Sequence, residues 1–376
     1  MERSDTEPPP MDSEESNQNQ PDNQNNNLSA EEKLRKRGKF GQIAEKNKKR
    51  IVKSGNAFIV TFKKLLNKTE ASEEEARHYM ERVLHSIFFF GHINKPPISP
   101  DEFLPERQTE GFRSQFPKPF SEYNTHLPSY TPYSILLEYM IEHLNPEDPD
   151  VFMKLLADVN KSLWKIDDGD GNKPTVNEFA LATVISYCCV KDSNNAEVLK
   201  KAYGASVSCK GMPQRHIMIA LSALHVWDKA VSYAVSCEGK GPAITFPEKV
   251  QCSAYRYIPK LGSYKKIPPC TKCNKMYDVE YDPEHQVHDY EEPWPYGNCA
   301  ENESINKLLQ IDKDIRNNIC IVGKNGEKLM NREEIENKFK EEYEDEKKRK
   351  VRELLKSRRF KLNSEEWKFF TPSYSL

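Results

Sequence analysis

The stretch Pro269-Cys270-Thr-Lys-Cys273 constrains this chain more than any other. Cysteines at i and i+3 put both sulfurs on one side of a turn, so one metal ion is gripped with little extra chain entropy. A third cysteine follows in Trp294-Pro-Tyr-Gly-Asn-Cys299-Ala-Glu301. Asn298 is a good helix cap, and Ala300, Ile305, Leu308 and Leu309 recur at helical spacing after it. Cys299 is therefore expected at a helix N-terminus, where the dipole favours a thiolate. Thiolates are soft ligands suited to tetrahedral geometry. Cys270, Cys273 and Cys299 accordingly read as ligands for Zn2+.

Three protein ligands are the pattern of a catalytic zinc, which keeps one position open for water, whereas structural sites close with four. Glu301 falls two residues after Cys299, in the first turn of the expected helix. From there its carboxylate can move the proton of a metal-bound water. Closed alternatives stand beside this open site. Cys252 supplies a fourth thiolate, or His285 and His288 close a finger-like site with Cys270 and Cys273 at spacings slightly off the usual ones. Without metal, the Cys-x-x-Cys pair is a redox dithiol.

The Pro-Cys-x-x-Cys pair together with Cys-Ala-Glu resembles the zinc signature of the cytidine-deaminase-like superfamily, with the two halves in reversed chain order. The match covers roughly 40 residues. The resemblance implies a three-layer sandwich fold and zinc held by Cys299, Cys270 and Cys273 between two helix N-termini. It also implies Glu301 as general acid/base and hydrolytic loss of ammonia from a nucleobase by zinc-bound water. The expected partner is then a nucleotide or single-stranded nucleic acid, with Tyr255, Tyr257, Trp294 and Tyr296 as candidates to stack on a base. The alternative function is a non-enzymatic, zinc-stabilised protein- or nucleic-acid-interaction protein.

The remaining sequence sets the frame. Residues 1–29 are Pro, Asn, Gln, Ser, Asp and Glu with almost nothing apolar, too little to offset ordering entropy, and are expected to be disordered. A basic segment spans 30–70, with ten Lys/Arg and one acid between Lys33 and Lys53. Over the whole chain 56 basic residues balance 58 acidic ones, so net charge alone predicts no polyanion partner.

A helical domain is expected over 71–210. Ser72 and Glu75 have capping-box spacing before a helix to Phe90. Further helices are expected over Ser134–Leu144, Asp148–Lys165 and Val176–Val190. Asp167–Asn172 superficially resembles a calcium loop but lacks the Gly and Glu at the required positions, and reads as a turn. The zinc-binding domain is expected over 211–376. It opens with one long helix from Pro213 to Ala234, in which His216 and His225 read as core residues. Strands at Ala243–Pro247, Val250–Ile258 and Ile319–Gly323 follow, then a charged helix over Arg332–Arg359. Trp367-Lys-Phe-Phe370 is expected to tuck back onto the domain.

The fold class is therefore α+β or α/β: a mainly helical N-terminal unit and a mixed-sheet C-terminal unit. The N-terminus lacks an apolar h-region and no stretch is long enough to span a bilayer, so no membrane association and a cytoplasmic or nuclear location are expected. In such a compartment the nine cysteines are not expected to form disulfides, and Cys188, Cys189, Cys209 and Cys237 read as buried thiols.

Overall fold

The computed structural model describes residues 30–144, 147–166, 175–176, 179–191, 198–288, 290–362 and 366–374. The N-terminal 29 residues and the Asp167–Asn172 turn lie outside these. The chain divides into two units, Met1–Lys46 and Asn47–Leu376. The described part of the first belongs to helix α1, Ala30–Lys68. Everything below concerns the second.

A hydrophobic helical layer comes first. Helix α2, Glu73–His92, starts at the expected capping box: Ser72 Oγ accepts from Glu75 N, and Glu75 reaches back to Ser72 N. Its phenylalanines Phe88, Phe89 and Phe90 are essentially inaccessible. Helices α3, Pro132–Leu144, and α4, Pro149–Trp164, follow as the periodicity predicts.

The next element differs from the expected helix. Val184–Lys191 is strand β1, and Val198–Ala205 is strand β2. An apolar run of this length has no periodicity that separates a buried helix from a central strand. Its β-branched and aromatic residues settle into a sheet covered on both faces.

The expected long helix from Pro213 is broken. Helix α5, Met212–Leu221, passes into a π-helical turn, Ser222–Val226, and helix α6, Lys229–Ser236, starts afresh. Asp228 makes the break. It caps α6 by accepting from Ala230 N, and Arg332 grips its carboxylate with both guanidinium nitrogens, 2.9 Å each.

Strand β3 occupies Val250–Ile258, as its residues predict, and β4 occupies Ser263–Ile267. The sheet order is β2-β1-β3-β4, antiparallel throughout, and Glu280–Tyr281 adds a short parallel pairing at Gln251 and Cys252 of β3. Cysteine pairing contradicts the thiol expectation here. Cys188 and Cys252 stand directly opposite one another on β1 and β3, with Cα atoms 4.3 Å apart, and form a disulfide.

Strand alternation sends side chains into two cores. Tyr187, Cys189, Tyr203 and Tyr255 share the first core with Phe152 and Leu156 of α4 and Tyr133 of α3. Cys188, Val190, Ala202 and Cys252 share the second with Cys273, Ile305 and Leu308. The sheet thus has helices on both faces, and the fold is a mixed α+β one with a helical N-terminal part. A smaller sheet, Lys328–Asn331, Cys320–Val322, Ile244–Thr245 and Tyr277–Asp278, lies in the C-terminal part. The charged helical run is present over Arg332–Phe339 and Asp345–Ser357, joined by a π-helical turn. No helix among the described residues is long and apolar enough to cross a membrane.

Candidate metal centre

Two helix starts build the site. Helix α7, Thr271–Met276, is capped by Cys270, whose Sγ accepts from Cys273 N at 3.4 Å. Helix α8, Ala300–Ile311, has Cys299 at its N-cap position. Helix α8 is seated on the sheet at one close approach. A Cβ at Gly204 of β2 meets the Ser304 backbone nitrogen at 2.3 Å and the Ala300 carbonyl at 2.5 Å, so only glycine lets the two backbones meet.

The sulfurs of Cys270, Cys273 and Cys299 all lie within 4.8 Å of one another, and the Cys270–Cys299 separation is 3.4 Å. Tetrahedral zinc with Zn–S bonds of about 2.3 Å needs sulfurs roughly 3.8 Å apart, so the donor set fits such an ion in both chemistry and spacing. This cluster can hold a metal ion. Cys273 is fully buried, while Cys270 and Cys299 keep partial exposure.

Electrostatics are shaped by the three sulfurs crowding together. The neighbouring Cys273 and Cys299 sulfurs hold the Cys270 thiol down to about 3. Cys273 and Cys299 are pushed up in turn, first by the Cys270 sulfur beside them and also by burial. Glu301, 3% exposed, is pushed up to about 7, first by burial and then by the charge on Cys270. The Cys273 side chain opposes this rise.

The surrounding hydrogen bonds fix the two helix starts. Asn302 Nδ2 donates to Cys299 O, and its Oδ1 accepts from Tyr277 Oη. Tyr281 Oη donates to Cys273 O. Lys272 Nζ donates to the carbonyls of Glu292 and Trp294, tying the 292–299 loop to α7, and Thr271 N donates to Glu292 Oε1. Apart from the Asn302–Cys299 contact in the first turn of α8, these pairings span loops whose course no local pattern dictates, so they are not legible in the sequence.

The structure brings together the three cysteines expected at the site, and Glu301 is buried in the first turn of α8. Cys252 is committed to its disulfide. His285 Nδ1 pairs with Pro269 O, and His288 stacks on Tyr290 with Nε2 3.4 Å from Glu292. Neither histidine belongs to the sulfur cluster. Among the aromatics, Trp294 and Tyr296 lie on the site side, with Lys272 Nζ 5.2 Å from the Tyr296 ring centre. Tyr255 and Tyr257 do not. They point through the opposite face of the sheet, where Tyr257 packs on Trp164 and Tyr264.

A small cavity of about 20 Å³ adjoins Cys299. Its walls include Thr131, Ser134, Ser222, Trp227 and Glu303. Glu303 accepts from Ser134 Oγ and from Lys307 Nζ, 2.7 Å each. That volume holds about one water molecule.

Comparison with protein-family models, with curated proteins and with solved structures gave no match.

Proposed function

We propose that this protein is a zinc-dependent hydrolytic deaminase of the cytidine-deaminase-like kind, acting on a nucleobase in a nucleotide or in single-stranded nucleic acid. One arrangement carries the reading. Two cysteines hold the N-cap positions of two different helices, a third completes the sulfur cluster, and a buried carboxyl lies two residues after the second N-cap. Chain order does not matter to such a site, because only the spatial constellation enters the chemistry. Helices on both faces of the sheet are in keeping with a three-layer sandwich. On this reading the deaminase-like part, expected over 211–376, draws one inner and one edge strand of its sheet, β1 and β2, from before residue 211.

Cys270, Cys273 and Cys299 hold the metal as thiolates. A bound zinc supplies a Lewis acid and a water of lowered pKa. Glu301, buried in the first turn of α8, would take the proton from the attacking water and return it to the departing amine nitrogen. Trp294 and Tyr296 offer aromatic surface next to the metal.

The cavity beside Cys299 favours a second reading, because one water is all it holds. In it the zinc is a structural staple in a protein- or nucleic-acid-interaction protein. The two readings separate on one variant. In the zinc-loaded full chain, ammonia release is measured on cytidine, adenosine and single-stranded oligonucleotides containing them. The deaminase reading expects release by the wild type and a loss of about 10²–10⁴-fold in Glu301→Gln with zinc retained. A wild type inert on every substrate, or a variant as active as wild type, removes it.

A further inference from the structure

The cavity beside Cys299 has two walls from distant parts of the chain. One is the segment Ser129–Thr131, and the other is the π-helical turn with Ser222 and Trp227. A single C-terminal strand is fastened to both. Leu127 N donates to Lys368 O at 2.8 Å, and Phe370 N donates to Leu127 O at 2.9 Å, so the strand bridges directly before the first wall. Phe369, between those two residues, stacks on His225 of the π-helical turn with ring centres 3.5 Å apart.

Beyond Phe370 the strand is held by contacts at the surface of α2 and its neighbours. Phe370 stacks on His85 at 4.0 Å. Lys118 Nζ donates to Thr371 O, Ser373 N and Oγ donate to the two oxygens of Glu81, and His78 Nδ1 pairs with Tyr374 O. Glu81 is fully buried under this strand, yet Ser373 itself is exposed. The hold combines polar contacts and two ring stacks with Trp367 and Phe369 packed on the first core and Phe370 buried, while Thr371, Ser373 and Tyr374 at its end are exposed. Its exposed end, held mainly by polar contacts at the surface, is the part that opens at low cost.

We infer that residues 366–374 form an autoinhibitory strap, which clamps Ser129–Thr131 against the π-helical turn and keeps the cavity beside Cys299 at the size of a water. Releasing the strap frees both walls, and the cavity then opens toward Cys299 to admit a larger ligand. π-helical turns are local weak points in helices and recur at functional sites, so the wall held by Phe369 is the one suited to move. The inference deepens the deaminase reading by explaining how a base-sized substrate reaches a site that is closed here. Its test needs neither metal nor turnover, so it stands or falls separately.

The test uses the full chain, metal-free and reduced, treated with iodoacetamide, with each labelled cysteine read by peptide mass. Cys320, half-exposed on its own short strand, is the reference for reagent reactivity, and buried Cys209 reports opening of the whole unit. Ser373→Glu places a second carboxylate against Glu81 at an exposed position and leaves both cavity walls intact. Phe369→Ala removes the stack on His225. The strap predicts that Cys299 labels about tenfold faster relative to Cys320 in at least one folded variant, with Cys209 unchanged. A Cys299-to-Cys320 ratio that stays at the wild-type value in both variants, or a rise shared by Cys209, overturns it.

Discussion

Cys270 Sγ and Cys299 Sγ lie 3.4 Å apart although 29 residues separate them, and each holds the N-cap position of a different helix. At the first of these helix starts a backbone N–H, that of Cys273, points at the Cys270 sulfur. Negative sulfurs are favoured there, and a dication bound by them is screened by thiolates on the side facing the helices.

Cys273 is the ligand whose removal should cost most. It is fully exposed to neither solvent nor reagent, and its carbonyl is tied to Tyr281. Cys273→Ser is expected to lose stoichiometric zinc and, with it, the stabilisation that a tightly bound metal adds, on the order of several kcal/mol. The His285→Ala/His288→Ala double variant is expected to keep its zinc. Metal content after dialysis and Tm with and without added zinc check both. Zinc lost from the histidine variant but kept by Cys273→Ser contradicts the assignment.

Gly204 supports the site from the sheet. A methyl group there runs into backbone atoms of Ala300 and Ser304, which no rotamer change relieves. Gly204→Ala is expected to destabilise the fold by about 1–3 kcal/mol or to push α8 off the strand, weakening zinc binding through Cys299. Denaturant unfolding and a zinc titration report the two effects. A variant with wild-type stability and wild-type zinc affinity rules out the close approach.

His85 sets an acid limb on stability. Burial drives its pKa down from 6.5 to about 3, with neighbouring His126 adding to the effect and backbone contacts at Glu122 and His126 opposing it. The folded state binds the proton less readily than the unfolded chain. The contribution of neutral His85 is therefore present above pH 6.5 and is lost progressively as pH falls from 6.5 towards about 3. His85→Gln is expected to be less stable than wild type near neutrality, by about 1–2 kcal/mol for the lost ring stack, but to lose less stability on acidification. Tm curves that fall in parallel for the two proteins across that range refute this.

Much of this site was legible in the sequence because its determinants are local. A Cys-x-x-Cys turn, a helix start and a Glu two residues on are short-range features, although Cys299 rather than Asn298 takes the N-cap position. Their geometry follows from helix starts wherever the chain takes them. The helices at Glu73–His92, Pro132–Leu144 and Pro149–Trp164 were legible for the same reason: capping and a 3.6-residue period are written in consecutive residues. Val184–Lys191 was not, since burial on both faces erases the alternation that marks a strand. Register decides the Cys188–Cys252 disulfide, and register is set by the whole sheet. Tyr255 and Tyr257 were misplaced on the site side for a related reason. Alternation fixes that they share a face, but only the packing of α4 and β4 decides which face meets the helical layer.

The most direct measurement is zinc K-edge X-ray absorption on the zinc-loaded full chain, which counts the sulfurs on the metal. The account predicts one zinc per chain with three sulfurs at about 2.3 Å and one oxygen or nitrogen at about 2.0–2.1 Å, the light atom being displaceable by added small anions. A shell of four sulfurs, a shell containing two nitrogens, or a chain that takes up no zinc contradicts it.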